Sequence, residues 1–333
     1  RREMCAVHRV GQRLERAPSL STPVDLTAAA GGTVPSPRPL RGVNRVFHRH
    51  RTLGLLSVLS PPVAWMLVVY IGSLVVLVLS AFFTLDTFTQ QPTTTFTLDN
   101  VIDAASSTTA LSLLLKTVLT AAAVTVLCVA LALPTGFFVA KIAPRWLRRG
   151  LMVSIMLPLW AGYMVKTYAW RTMVAPAGGN QFAAAGRGDG GFLASVLGWT
   201  PGYSRLSVII ALTYLWFPYM MLPVYAGLER LPASLVDASG DLGARPWRTF
   251  RSVIVPILLP SIAAGSIFTF SLSLGDYLLP RIVVDGKQRV MFGELINSTL
   301  GAPNQPLAAA YTLFPAVIIV SYLFLMKRAG AFE

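Results

Sequence analysis

The sequence predicts an all-α, polytopic membrane protein with six transmembrane helices, and three observations carry that reading. Of 333 residues, 54% are hydrophobic and only 13% charged, which is too little polar surface for a water-soluble body of this size. Apolar segments recur at 58–83, 110–140, 150–173, 206–228, 252–278 and 306–326, each near or above the ~20 residues that a helix needs to cross a bilayer. The basic residues behind the net charge of +14 are unevenly placed: ten lie in residues 1–51, four in 141–149, four in 229–251 and two at the C-terminus, against five in the alternate loops. Short cationic flanks stay in the cytoplasm, so both termini and the 229–251 loop are expected there. A charge located this way is a topogenic signal, and no nucleic-acid partner is implied.

Residues 1–51 are rich in Arg, Pro, Gly and Ala without apolar periodicity, and read as a disordered basic cytoplasmic tail that could at most be drawn to anionic membrane lipid. The membrane domain follows, from 52 to 333. Pro134, Pro158, Pro218, Pro223, Pro256, Pro260 and Pro315 fall inside apolar segments, where membrane helices tolerate them, and mark expected kinks. The alternate loops are mildly acidic, with Asp86, Asp99, Asp103, Asp189, Asp285 and Glu294, and the stretch 175–191 is Gly- and Ala-rich. Lys116, Lys166 and Arg171 lie in the outer parts of their segments, where snorkelling to the interface accounts for them.

Several functions are disfavoured. No GxxxxGK[ST] loop is present to cradle a nucleotide, and no HExxH or Ser-His-Asp arrangement is present to support hydrolysis. His8, His48 and His50 all fall in the tail, which leaves the membrane body without a histidine for a metal, a haem or general-base work, so no cofactor is expected. Cys5 and Cys128 belong to different compartments and are not expected to form a disulfide. An ion-coupled secondary transporter would need an ionisable group at membrane depth, where one costs ~2.5–3.5 kcal/mol on insertion scales, and no carboxylate lies near the middle of a span.

The most organised loop runs from Leu231 to Pro260. Ser234 is placed to cap a helix with Asp237 as its third residue. Leu235, Ala238, Ser239 and Leu242 then share one small, mildly apolar face suited to close packing by another body. Gly243 is expected to end this helix in a left-handed conformation, and Asp241, at the negative end, calls for a nearby cation, from Arg245, Arg248 or the body that docks on the loop. Pro246 fits the first position of a second helix, with Trp247, Phe250 and Ile254 on its inward face.

The run Asp237-Ala238-Ser239, Leu242-Gly243-Ala244, Pro256 and Leu259-Pro260 resembles the EAA loop of binding-protein-dependent ABC importer permeases. Pro218-Tyr219-Met220-Met221-Leu222-Pro223, Ser273-Leu274-Gly275-Asp276-Tyr277 and Lys166-Thr167-Tyr168-Ala169-Trp170-Arg171 resemble the polyamine (spermidine/putrescine) branch, and the likeness spans residues 55 to 330. Two positions depart conservatively: Asp237 stands where the family usually has Glu, and Ser239 where it has a second Ala.

The resemblance implies a permease domain over 52–333 whose 229–251 loop couples to an ATPase through Asp237, Ala238, Ser239, Asp241, Leu242 and Gly243. It also implies two copies of an ATP-binding subunit, a second and homologous permease subunit, and an extracytoplasmic solute-binding protein. Related branches handle sulfate, molybdate, iron and thiamine, so the solute stays open between these and polyamines. Asp276, Tyr277 and Tyr219 are the expected pathway residues. Asp276 is about 23 residues into the fifth span, roughly 35 Å at ~1.5 Å per residue, and so lies near its outer end, either meeting an incoming amine cation, facing water or pairing with Arg281.

Overall fold

The computed structural model describes residues 51–85, 92–176, 191–284, 289–302 and 304–328. The tail expected over 1–51, apart from Arg51, lies outside the described residues, as do Asp86, Asp189 and Asp285. The chain divides into two units, residues 1–66 and 67–333. The described part of the first is the beginning of helix α1 (Arg51–Ser80), whose side chains from Leu59 onward are almost all exposed, with Trp65 at 71% and Tyr70 at 68%. Apolar residues at every helical position give no polar stripe, as expected for a helix solvated by lipid.

The second unit is a helical bundle. Its elements are α2 (Asp99–Ser106), α3 (Thr108–Phe137), α4 (Arg145–Trp160), α5 (Tyr163–Met173), α6 (Phe192–Leu197), α7 (Arg205–Arg230), α8 (Ala233–Asp241), α9 (Pro246–Thr249), α10 (Val255–Gly275), α11 (Leu278–Val283), α12 (Phe292–Leu300) and α13 (Gln305–Arg328). A small antiparallel hairpin, β1 (Phe83–Leu85) with β2 (Pro92–Phe96), precedes α2 and is the one strand pairing among the described residues. Its threonine-rich strands are held partly by the Thr84 and Thr93 hydroxyls, 2.6 Å apart.

By length and composition, five helical stretches can cross a membrane alone: Leu59–Ser80, Thr108–Ile142, Arg205–Arg230, Pro246–Gly275 and Gln305–Arg328. The sixth does not form the continuous span expected over 150–173. α4 and α5 meet at a 98° bend, with Ala161 and Gly162 in extended conformations between them. The physical reason lies in α5, whose Lys166, Thr167 and Arg171 make it poorly suited to lipid. Instead of snorkelling, Arg171 reaches into the bundle end, donating to the Ile282 carbonyl at 2.9 Å and lying 5.7 Å over the Tyr203 ring.

α7 is the centre of the bundle, packed between α3 and α10. Val208, Ala211, Leu212, Leu215, Met220, Met221, Val224 and Leu228 form its buried face, joined by Val124 and Cys128 of α3 and Leu258 of α10. Pro218 and Pro223 both remain inside α7. Gly265 of α10 lies against this proline-flanked stretch, where an added Cβ would come within 2.7 Å of Met220 Sδ and 3.0 Å of Pro223 Cγ. Gly265→Val is therefore expected to cost about 1–3 kcal/mol by overpacking. The check is heating in detergent: the variant should lose its monodisperse peak at a lower temperature than the parent, and an unchanged profile would show that the contact has slack.

Two π-turns interrupt the spans. One, Phe138–Ile142, extends α3, and the other, Phe250–Ile254, joins α9 to α10. The second directly precedes Pro256, which has no N–H to offer the Ser252 carbonyl, so the turn widens to the i→i+5 pattern, with Val255 N donating to Phe250 O. In the first, Ala143 N donates to Phe138 O at 2.9 Å. Arg148 satisfies two carbonyls of that turn, Val139 O at 3.1 Å and Ala140 O at 2.7 Å.

Candidate functional site

Two regions carry the residues expected to function. The first is the loop between α7 and α10. α8 begins at Ala233, one residue earlier than the expected cap, because Pro232 takes the N-cap position, and Ser234 falls inside the first turn without capping it. The C-terminus follows expectation. Gly243 has φ +76°, with Ala244 N donating to Ser239 O at 3.1 Å and Gly243 N to Gly240 O at 2.8 Å, the paired 6→1 and 5→2 bonds of a Schellman motif. Pro246 opens α9 at its first turn.

The loop is tied down on one side only. Lys141 Nζ donates to Leu231 O at 2.9 Å, the Ser239 and Thr249 hydroxyls are 2.8 Å apart, and Phe250 meets Phe137 edge to face at 6.2 Å. On the other side Asp237, Ala238 and Asp241 are exposed, and Leu242 is 88% exposed. Among the described residues Asp241 forms no ion pair, so neither Arg245 nor Arg248 supplies the expected cation. Trp247 also corrects the sequence reading: it is 70% exposed, stacked on Phe250 at 5.8 Å, while Ile254 alone of the three is fully inside.

The second region is the end of α10. Asp276 is only 8% exposed, and it neither faces water nor pairs with Arg281. Tyr163, at the start of α5, donates its hydroxyl to Asp276 Oδ2, while Leu278 N and Leu279 N donate to Oδ1 at 3.1 and 3.3 Å. One carboxylate thus closes the end of α10, starts α11 and holds the broken third span. Beside it is a cavity of about 340 Å³ lined by Tyr163, Trp216, Gly275, Asp276 and Tyr277. Tyr163 and Trp216 stack at 6.3 Å, and Tyr219 meets Trp216 at 5.7 Å from behind. Trp216 Nε1 is buried without a hydrogen-bond partner. The structure thus brings Asp276 and Tyr277 to one cavity and leaves Tyr219 one ring away.

Sequence reasoning passed over Glu294. It appeared there only as one of several loop acids, yet it is 7% exposed, and burial pushes its carboxyl up to about 7 against the opposing pull of the Val290 N–H, Arg281 and Arg289. Glu294 lies in the first turn of α12, which is anchored to α3 by Phe292 N donating to Thr117 Oγ1 at 2.7 Å. No local pattern around residue 294 signals that contact.

A multi-pass bundle with one broken span, an exposed helix-turn-helix between its two most central spans and an acid in an aromatic cavity defines a membrane transport subunit. The comparisons identify which kind. Residues 132–330 match the family described as the binding-protein-dependent transport system inner membrane component, and the chain belongs to that family. It is 41% identical over 306 residues to the inner membrane ABC transporter permease protein YdcU of Escherichia coli (strain K12), covering 90% of this chain and 97% of that one. It is 28% identical over 207 residues to the spermidine/putrescine transport system permease protein PotB of Haemophilus influenzae, covering 62% and 70%. In fold it resembles a chain of the bacterial alginate ABC transporter solved with an alginate pentasaccharide-bound periplasmic protein, with a TM-score of 0.62 at 12% identity over 85% of this chain and 96% of that one. The protein is a permease subunit of an ABC importer, a transport component rather than an enzyme, and a multi-pass protein of the inner membrane.

Proposed function

We propose that this permease imports polyamines of the spermidine/putrescine class. The observation that carries the reading is the cavity at the end of α10, where a buried carboxylate stands among the rings of Tyr163, Trp216 and Tyr277. Aromatic faces beside a negative charge attract amine cations. The similarity to PotB supports the same solute class. The test is uptake by the complex reconstituted in proteoliposomes, offered labelled spermidine, putrescine and sulfate in separate runs. Polyamine uptake is the expected result. Uptake of sulfate alone overturns the polyamine assignment.

The same proposal includes the assembly: two ATP-binding subunits below, a homologous permease alongside and a solute-binding protein above. Asp237, Ala238, Ser239, Asp241, Leu242 and Gly243 form the surface for the ATPase. The exposure of all of them but the half-buried Ser239, with the rest of the loop pinned to the bundle, supports that role. A cation on the ATPase would complement Asp241, which has none here.

The reading puts both termini and this loop in the cytoplasm, and the bias of basic residues in the sequence supports it. In a background lacking Cys5 and Cys128, a cysteine at Thr95 is expected to react with an impermeant maleimide in intact cells, and one at Arg245 only after permeabilisation. Labelling at position 245 in intact cells would reverse the topology.

A further inference from the structure

Where α3 and α7 lie side by side, a groove of about 510 Å³ opens on the flank of the bundle. The two helices run parallel, because their contacts advance together: Cys128 Sγ is 3.6 Å from Thr213 O, and Thr135 Oγ1 is 3.8 Å from Met221 Sδ. Leu127, Leu131 and Thr135, each one turn apart, line the α3 wall, and Ile210, Tyr214 and Phe217 repeat that spacing on α7. The groove therefore follows the helix axes. Trp170 of α5, its ring 5.5 Å from that of Tyr214, adds a third side. No charged residue lines the groove, and its two threonine hydroxyls are spent on their own helices, Thr135 on Leu131 O at 2.5 Å and Thr213 on Ile209 O at 2.7 Å. Both walls lie inside the spans Thr108–Ile142 and Arg205–Arg230, and Leu127 and Leu131 remain 41% and 49% exposed there.

We propose that this groove binds one acyl chain of a membrane phospholipid, extended along α3 and α7. At this depth the surroundings are hydrocarbon, as apolar as leucine, so the occupant is chosen by how well it fills the groove and not by escape from water. Unfilled walls forfeit dispersion contacts, and a chain that conforms to them recovers those contacts. A helix of a neighbouring permease does so poorly. Two turns of helix occupy roughly 850–1,200 Å³ at a diameter of ~10–12 Å, more than the groove holds, so a helix covers the mouth and leaves the floor empty. A water-soluble ligand finds no charge here to orient it. Because Trp170 belongs to α5, the second half of the broken span, a bound chain braces that half-span against α7. The groove shares no residue with the Asp276 cavity, so it stands or falls apart from the polyamine reading.

The test uses the full chain, alone and in the assembled complex, in liposomes of phosphatidylethanolamine and phosphatidylglycerol doped with a phosphatidylcholine that carries a diazirine midway along one acyl chain. After irradiation, lipid adducts are mapped to residues by mass spectrometry of peptides. Val68 of α1 and Phe324 of α13, 69% and 67% exposed, report contact with lipid that merely surrounds the protein. Adducts at residues 127–135 and 210–217 are expected to exceed those at both reference positions at least 5-fold, in the chain alone and in the complex. Ala130→Trp, whose indole takes up the space between the walls, is expected to bring groove labelling down to the reference level without changing labelling at Val68 or Phe324. Groove labelling in the parent no higher than at the reference positions overturns the proposal, as does undiminished labelling in Ala130→Trp. Labelling of the chain alone that disappears in the complex assigns the groove to the interface with the second permease, and overturns it too. The parent measurement decides without the variant, so poor folding of Ala130→Trp does not shelter the idea.

Discussion

Gly243→Val is expected to leave the permease in the membrane and to reduce solute-stimulated ATP hydrolysis by the complex at least 10-fold. Gly243 holds φ +76° with open space around its missing Cβ, so the obstacle to valine is the backbone itself. A left-handed conformation costs an L-residue roughly 1–2 kcal/mol, and more when the side chain is β-branched. The variant escapes that strain by abandoning the left-handed turn, which releases the bonds from Gly243 and Ala244 back to Gly240 and Ser239 and redirects the chain between α8 and α9. The spans are untouched, because the loop has its own anchors at Leu231 and Thr249. Hydrolysis and copurification of the ATPase are the two readings. Gly243→Asn, which tolerates the same φ, should restore both. Normal stimulation in the valine variant would show that the turn does not couple.

Asp276→Asn is expected to lower polyamine uptake at least 10-fold with expression and assembly retained. The structure gives this substitution two separable consequences. Removing the charge takes away the attraction for an amine in the cavity, and it weakens the hydrogen bond from Tyr163, where a charged acceptor contributes about 1.5–3 kcal/mol. Tyr163→Phe removes the second without the first. If Asp276 attracts the solute, Tyr163→Phe should retain most of the uptake and Asp276→Asn should raise KM. If the carboxylate acts chiefly as the clasp of the broken span, both variants should lose maximal rate together at unchanged KM. Unchanged uptake in Asp276→Asn would remove the cavity from the pathway.

How far the chain could be read in advance depended on the range of the forces involved. The five unbroken spans were legible because each is a long apolar run, and Gly243 and Pro246 were legible because backbone chemistry at a single residue decides their roles. The break at Ala161 and Gly162 was not. Apolar residues on both sides of it average to a span, and what makes α5 turn away is that Arg171 finds the Ile282 carbonyl 111 residues later in the chain. Asp276 was placed at the end of its helix, with an incoming amine cation, water and Arg281 all left open as what it meets. Its true partner, Tyr163, is 113 residues distant. Glu294 escaped notice for the same reason, since the helix that carries it, α12, is fixed by Phe292 through contacts to Thr117 of α3 and Tyr311 of α13 that are far from it in sequence.

The two π-turns explain one more discrepancy. Each holds one residue beyond the number that a regular helix would fit into the same rise, and one residue corresponds to about 100° of rotation. Side chains on either side of such a turn therefore keep different angular phases, although the helix is continuous. Trp247, Phe250 and Ile254 share a stripe if counted at an unbroken 3.6, but the offset at Phe250–Ile254 swings Trp247 out to solvent while Ile254 stays inside. The membrane-side and loop-side faces of the second and fifth spans are thus indexed from separate origins, so the surface offered by the loop is set independently of the seam that packs the bundle.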